Sequence, residues 1–112
     1  MNSMLVDAAP VFDALGDPNR LRIMIWLCDD GPCSTSVVSQ AIPATRQAAT
    51  KHLLLLESAG LVRSSKRGRE RIWAIETESL ASASDYLKAL SQRWDRRIER
   101  LRALVEADPA GP

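Results

Sequence analysis

Four breaks divide the first sixty residues into pieces short enough that only a cluster of small helices fits them: Gly16–Asp17–Pro18, Asp29–Asp30–Gly31–Pro32, Pro43 and Gly60. Proline cannot continue a helix interior, and glycine accepts the left-handed backbone that ends one. Between the breaks the apolar residues recur at helical spacing. Val6, Val11, Phe12 and Leu15 predict a first helix from Val6 to Leu15, with Gly16 as its stop. Asp17 is an N-cap residue, and Pro18 suits the first helical position, where a missing N–H costs nothing. Leu21, Ile23, Met24, Ile25 and Leu27 make the second helix apolar over most of its surface, as a central core helix would be. Thr35 or Ser36 is expected to cap a third, with Val37, Val38, Ala41 and Ile42 facing inward. Thr45 is expected to cap a fourth, running to Ala59. The third and fourth, joined by the Pro43–Ala44 turn, form a helix-turn-helix candidate.

After Gly60 the pattern changes. Leu61–Ser64 and Arg71–Ile75 predict a β-hairpin about a turn built on Lys66, Arg67, Gly68 and Arg69. The returning strand alternates, with Ile72 and Ala74 on one face and Arg71, Trp73 and Ile75 on the other. From about Glu78 to Glu106 the period is helical again. Leu80, Leu87, Trp94 and Leu101 fall a heptad apart, and Ala83, Leu90, Ile98, Leu104 and Val105 widen the stripe. This last helix follows a unit that is already complete, so its apolar face needs a partner. The expected fold is mostly α with a small β-hairpin: a single winged helix-turn-helix domain over 1–112. The helix-turn-helix occupies about 34–60, the wing hairpin 61–76 and a C-terminal dimerisation helix 78–106.

At 112 residues the chain has room for one modest core and little for an enzyme cleft with its scaffold. One histidine, no glycine-rich phosphate loop and no supported nucleophile–base pair argue against an enzyme. No cofactor is expected. Met1–Pro10 lacks the basic and apolar regions of a secretory signal, and no apolar run approaches the ~18 residues of a membrane span. A cytoplasmic location without a membrane partner is the expectation. The net charge of +1 does not mark a nucleic-acid binder, but it averages an acidic N-terminus with a crowded basic stretch at Arg63, Lys66, Arg67, Arg69 and Arg71.

The fourth helix divides by chemistry. Ala49, Leu53, Leu56 and Ala59 should face the core, leaving Thr45, Arg46, Gln47, Thr50 and Lys51 together in the first two turns. A helix entering the major groove reads bases mainly with its N-terminal residues. Glutamine matches adenine, arginine matches guanine, and threonine meets a thymine methyl or a phosphate. His52, at the edge of that face, suits either a phosphate contact or packing between helices. Lys66, Arg67 and Arg69 on a protruding hairpin suit phosphates or the minor groove. Double-stranded DNA is therefore the expected partner, for a transcriptional regulator. A winged-helix adaptor that binds protein instead is the alternative, and would more often carry apolar residues at these places.

Three stretches resemble the ArsR family of repressors: Val11–Ile23 with its Ala14-Leu15-Gly16-Asp17-Pro18-Asn19-Arg20-Leu21 run, Ala48–Leu53 continuing to Ala59-Gly60-Leu61-Val62, and Gly68–Trp73. They span about residues 9–75 in the family's order. Ala49 stands where the family often has valine. The resemblance implies a homodimeric repressor of a palindromic operator, paired through its first helix (Val11, Phe12, Leu15) and its last (Leu80, Leu87, Leu90, Trp94, Leu101). It implies DNA-facing roles for Thr45, Gln47, Thr50, Lys51 and His52 and for the wing at Arg67 and Arg69. Family members often release DNA on binding metal. Here the thiolate positions fall on Ser34 and Ser36, and the last helix has no histidine, so neither metal site is expected. Tyr86 and Trp94 on a basic background resemble the subgroup lacking those sites. Cys28 and Cys33 flank the Asp29–Pro32 break. Both read as small hydrophobes, Cys33 as a buried one, with a redox-responsive repressor as the alternative. No small-molecule inducer is legible.

Overall fold

A computed structural model of the chain describes residues 8–107. In order the elements are α1 (Ala9–Leu15), α2 (Pro18–Asp30), β1 (Cys33–Ser34), α3 (Thr35–Ala41), α4 (Arg46–Ser58), β2 (Val62–Arg67), β3 (Glu70–Ile75) and α5 (Thr77–Glu106). Val6, expected in the first helix, lies outside the described residues.

The helix starts follow local chemistry. Asp17 caps α2 by accepting the N–H groups of Asn19 and Arg20 at 2.9 and 3.1 Å. Thr45 caps α4 by accepting the Ala48 N–H at 3.1 Å. Each satisfies donors that the helix itself cannot. After α4, Gly60 takes φ +79, where a side chain would be strained. Gly16, by contrast, ends α1 at φ −77, which any residue adopts, and what favours glycine there is space: a Cβ would lie 3.3 Å from the Asp13 carbonyl oxygen.

Several expectations are corrected. The cap of α3 is Ser34, which accepts the Val37 N–H at 3.3 Å, and not Thr35 or Ser36. Thr35 is buried because its hydroxyl accepts the Trp73 indole N–H at 2.8 Å. Val38 and Ile42 face inward as expected, but Val37 is exposed. In α2 only Ile23, Met24 and Leu27 are buried; Leu21 and Ile25 lie on the outer face, so the helix is half-covered rather than central. Cys33 is half-buried, its thiol donating to the Gly31 carbonyl at 3.2 Å, and Cys28 is exposed; both are free thiols.

The hairpin is longer than its sequence signal. Its ladder runs from Val62↔Ile75 to Arg67↔Glu70, so Gly68 and Arg69 alone make the turn, with Gly68 at φ +63. A two-residue loop with glycine first is a common hairpin solution. A third strand joins it: β1 pairs with β3 through Cys33↔Trp73 and Ser34↔Ile72, giving the antiparallel order β1-β3-β2. The core gathers under this sheet. Trp73, Ile23, Leu53, Leu56, Leu61 and Val38 are its fully buried side chains, contributed by α2, α3, α4, β3 and the link into β2. Each stabilises the fold by about 1.5–3 kcal/mol through burial.

The 30-residue α5 is different. Leu80 packs on the core and Ala83 is buried, but beyond them the helix leaves the body. At about 1.5 Å per residue it is about 45 Å long, which accounts for an overall extent of 72 × 28 × 20 Å.

Candidate nucleic-acid interface

The rotation of α4 is set by its buried residues. Ala49, Leu53 and Leu56, four and three residues apart, point into the core with no exposure. Arg46, Gln47 and Lys51 are thereby turned to solvent, and with Thr45, Ala48 and Thr50 they line one shallow surface hollow. No acidic residue occupies the first turn of α4, so its N-terminal N–H groups keep their partial positive charge. Such an end attracts phosphate.

Two hydroxyls in this cluster are already engaged. Thr45 Oγ1 accepts the capping bond, which leaves its own hydrogen free to donate. Thr50 Oγ1 donates to the Arg46 carbonyl at 2.9 Å, so its hydrogen is taken and its oxygen can only accept. Arg46 and Gln47 keep their full donor sets for base edges.

His52 does not join the cluster. Its side chain is 19% exposed, and Nδ1 lies 3.8 Å from Asp17 Oδ2 without a hydrogen-bond partner among the described residues. It packs α4 against the start of α2. The N–H of Arg20 holds the Asp17 carboxyl below its ordinary value, more than partial burial raises it, and His52 adds to the lowering.

The wing side chains Lys66, Arg67 and Arg69 are all exposed at the hairpin tip. Arg67 stands opposite Glu70, a favourable cross-strand pair, whereas Lys66 stands opposite Arg71, an unfavourable one. Arg71 turns to the strand instead: its Nη1 donates to Ser64 Oγ at 2.9 Å, and Ser64 donates to Glu57 Oε2 at 2.7 Å. This relay ties β2 and β3 to the C-terminal part of α4. Sequence reasoning missed it, because Glu57, Ser64 and Arg71 carry no motif and meet only through the fold.

The residues expected at a dimer interface separate into two groups. Val11, Leu15 and Leu80 pack partly against the chain's own core, and Phe12 is half-buried. Leu87, Leu90, Trp94 and Leu101 are exposed, Trp94 by 62%. Ser34 is occupied as a helix cap. Among the described residues no group of three or more histidines, cysteines and carboxylates is arranged to hold a metal ion. No helix among them is long and apolar enough to cross a membrane.

No family model matches the chain. Individual proteins do. An ArsR-like transcriptional regulator from Rhodococcus sp. RHA1 superposes with a TM-score of 0.75 at 33% identity, over 92% of this chain and 96% of that one. A homodimeric winged helix-turn-helix DNA-binding domain from Mycobacterium bovis superposes with a TM-score of 0.64 at 25% identity, over 82% and 85% of the two chains. The HTH-type transcriptional regulator YuzN of Bacillus subtilis is 34% identical over 76 residues, 62% of this chain and 83% of that protein. These relatives are regulators and not enzymes. The chain belongs to the ArsR family of winged helix-turn-helix transcriptional regulators.

Proposed function

We propose that the protein is a homodimeric repressor that binds a palindromic operator in double-stranded DNA. The observation that carries this reading is the outward set Arg46, Gln47, Thr50 and Lys51, fixed by buried Ala49, Leu53 and Leu56 at a helix N-terminus without acids. Arg46 and Gln47 read base edges, guanine and adenine respectively. Thr50 presents its methyl to thymine. Lys51 and the Thr45 hydroxyl hold phosphates, as do Lys66, Arg67 and Arg69 on the wing. His52 sets the position of α4 and does not touch DNA.

Two chains pair through the exposed face of α5, with α1 alongside. A two-fold axis then offers two copies of α4 to successive major grooves, about 34–36 Å apart. Bound DNA is closed to polymerase. The M. bovis neighbour's homodimeric state supports the pairing. An adaptor would present apolar side chains where the first turns of α4 expose Arg46, Gln47 and Lys51.

The test is operator titration, on a site recovered from genomic fragments, of Gln47→Ala against Arg67→Ala. Gln47→Ala should relax base preference at one position by about 1–3 kcal/mol. Arg67→Ala should weaken all sequences about evenly and reduce the salt slope by about 1. Equal loss of specificity in both variants would overturn the division of labour, and no binding by the native protein at low salt would overturn the reading.

A further inference from the structure

The hairpin divides its charges between its two faces. Directly opposed residues of an antiparallel pair point the same way. Val62↔Ile75, Ser64↔Trp73 and Lys66↔Arg71 therefore share one face, and Arg63↔Ala74, Ser65↔Ile72 and Arg67↔Glu70 share the other. Val62 and Trp73 are buried, so the first face is the one that covers the core. On it Ser64 meets Glu57 of α4. Past the core this inner face ends in the exposed pair Lys66 and Arg71. The outer face at the same end sets Arg67 against Glu70, so an acid accompanies its base there.

Like charges directly opposite each other destabilise a hairpin. Among the described residues neither Lys66 nor Arg71 takes part in an ion pair. Arg71 reaches Glu57 through the Ser64 hydroxyl, to which its Nη1 donates at 2.9 Å. That bond holds the guanidinium by one nitrogen. The Nε and Nη2 donors bond to nothing among the described residues. They form the side of the guanidinium that takes two oxygens of a phosphate at once. Opposed Cβ atoms lie about 4.5–5.5 Å apart, so the Lys66 ammonium reaches the same phosphate. An anion between the two cations turns their repulsion into attraction.

We infer that Lys66 and Arg71 together grip one phosphate of the DNA backbone, on the face of the wing that meets α4. Arg71 is then a DNA-binding residue on the returning strand and not only a strut of the hairpin. The inference rests on the DNA-binding reading above. The relay Glu57–Ser64–Arg71 begins in the helix that presents Gln47 and Lys51, so the gripped phosphate keeps a fixed register to the bases that α4 reads. A free anion gains little at so exposed a pair. A phosphate of a duplex already held by α4 arrives at high local concentration.

The experiment is titration of the full chain with operator duplexes that carry a single methylphosphonate, which removes one backbone charge. The substitution is moved along the site one phosphate at a time. At the phosphate held by this pair the native chain should lose at least about tenfold in affinity. Arg71→Gln and Lys66→Gln should each weaken the unmodified operator, and each should lose less than about threefold from the methylphosphonate at that same phosphate. Both side chains are exposed, so neither substitution opens the core. Ser64→Ala breaks the relay but keeps both cations, and should stay as sensitive there as the native chain. An Arg71→Gln variant with native sensitivity at every phosphate overturns the inference. So do Arg71→Gln and Lys66→Gln variants blunted at different phosphates, or a Ser64→Ala variant as blunted as Arg71→Gln, which assigns the loss to the relay. A native chain that binds no operator at low salt overturns the DNA-binding reading beneath it.

Discussion

The body of the molecule and its last helix use the same kinds of residue to opposite effect. In the body, leucines and a tryptophan are spent within the chain: Leu53, Leu56, Leu61 and Trp73 are fully buried. Along α5, leucines and a tryptophan at equally regular spacing stay in solvent once the helix has passed Ala83. Regular apolar spacing therefore marks a face and does not say what, within the chain, covers it. In the body the covering comes from elements within a few dozen residues; beyond Ala83, α5 extends past the other described elements.

The comparison can be broken from either side. Leu53→Ala should destabilise the body by about 2–5 kcal/mol, since it opens a cavity among fully buried neighbours; thermal or denaturant unfolding measures this, and a loss under 1 kcal/mol would mean the body is less self-sufficient than described. Leu87→Glu with Leu90→Glu should leave the body folded by circular dichroism and raise the dissociation constant of the proposed dimer by about 100-fold or more. A dimer of native strength in sedimentation would place the partner surface elsewhere.

A smaller effect tests how α4 and the wing are joined within the body. Ser64→Ala removes the relay between Arg71 and Glu57 and should cost about 1 kcal/mol. It should also weaken operator binding without changing base preference, because the wing loses its anchor. Altered preference would mean that the relay orients α4 itself.

The smallest effect concerns acid. The Asp17 carboxyl titrates below its ordinary 3.8 in the folded chain, first because the Arg20 N–H donates to it. Its contribution is therefore complete above the unfolded value and is lost as pH falls through the folded one. Asp17→Asn should flatten the fall in melting temperature between about pH 5 and about pH 3. An unchanged slope would assign the acid sensitivity to other carboxylates.

What was legible in the sequence was what local chemistry decides. The Asp17 and Thr45 caps, the glycine after α4, the inward set on α4 and the basic hairpin all follow from residues within a few positions of one another. What was not legible depends on distant partners. β1 is two residues long and is a strand only because β3 lies beside it. Ser34 caps α3 because Thr35 is taken by an indole far along the chain. Leu21 and Ile25 looked like core because their own helix cannot say which of its faces is covered. The approach of His52 to Asp17 joins two helices, and the spacing within α4 carries no trace of it. The exposure of Arg46, Gln47 and Lys51 follows from spacing, yet the engagement of the Thr50 hydroxyl does not, since back-bonding to a carbonyl one turn earlier leaves no mark on it.

The bond from Trp73 to Thr35 spans 38 residues and joins the strand returning from the wing to the first residue of the helix-turn-helix. Its consequence is kinetic. A helix can nucleate from its own neighbourhood, but β1 cannot pair and the indole cannot find its acceptor until the chain has closed a loop of that length. The edge strand β1 and the indole bond are thus completed after the helices and the local β2–β3 hairpin, and they lock the start of α3 to the sheet.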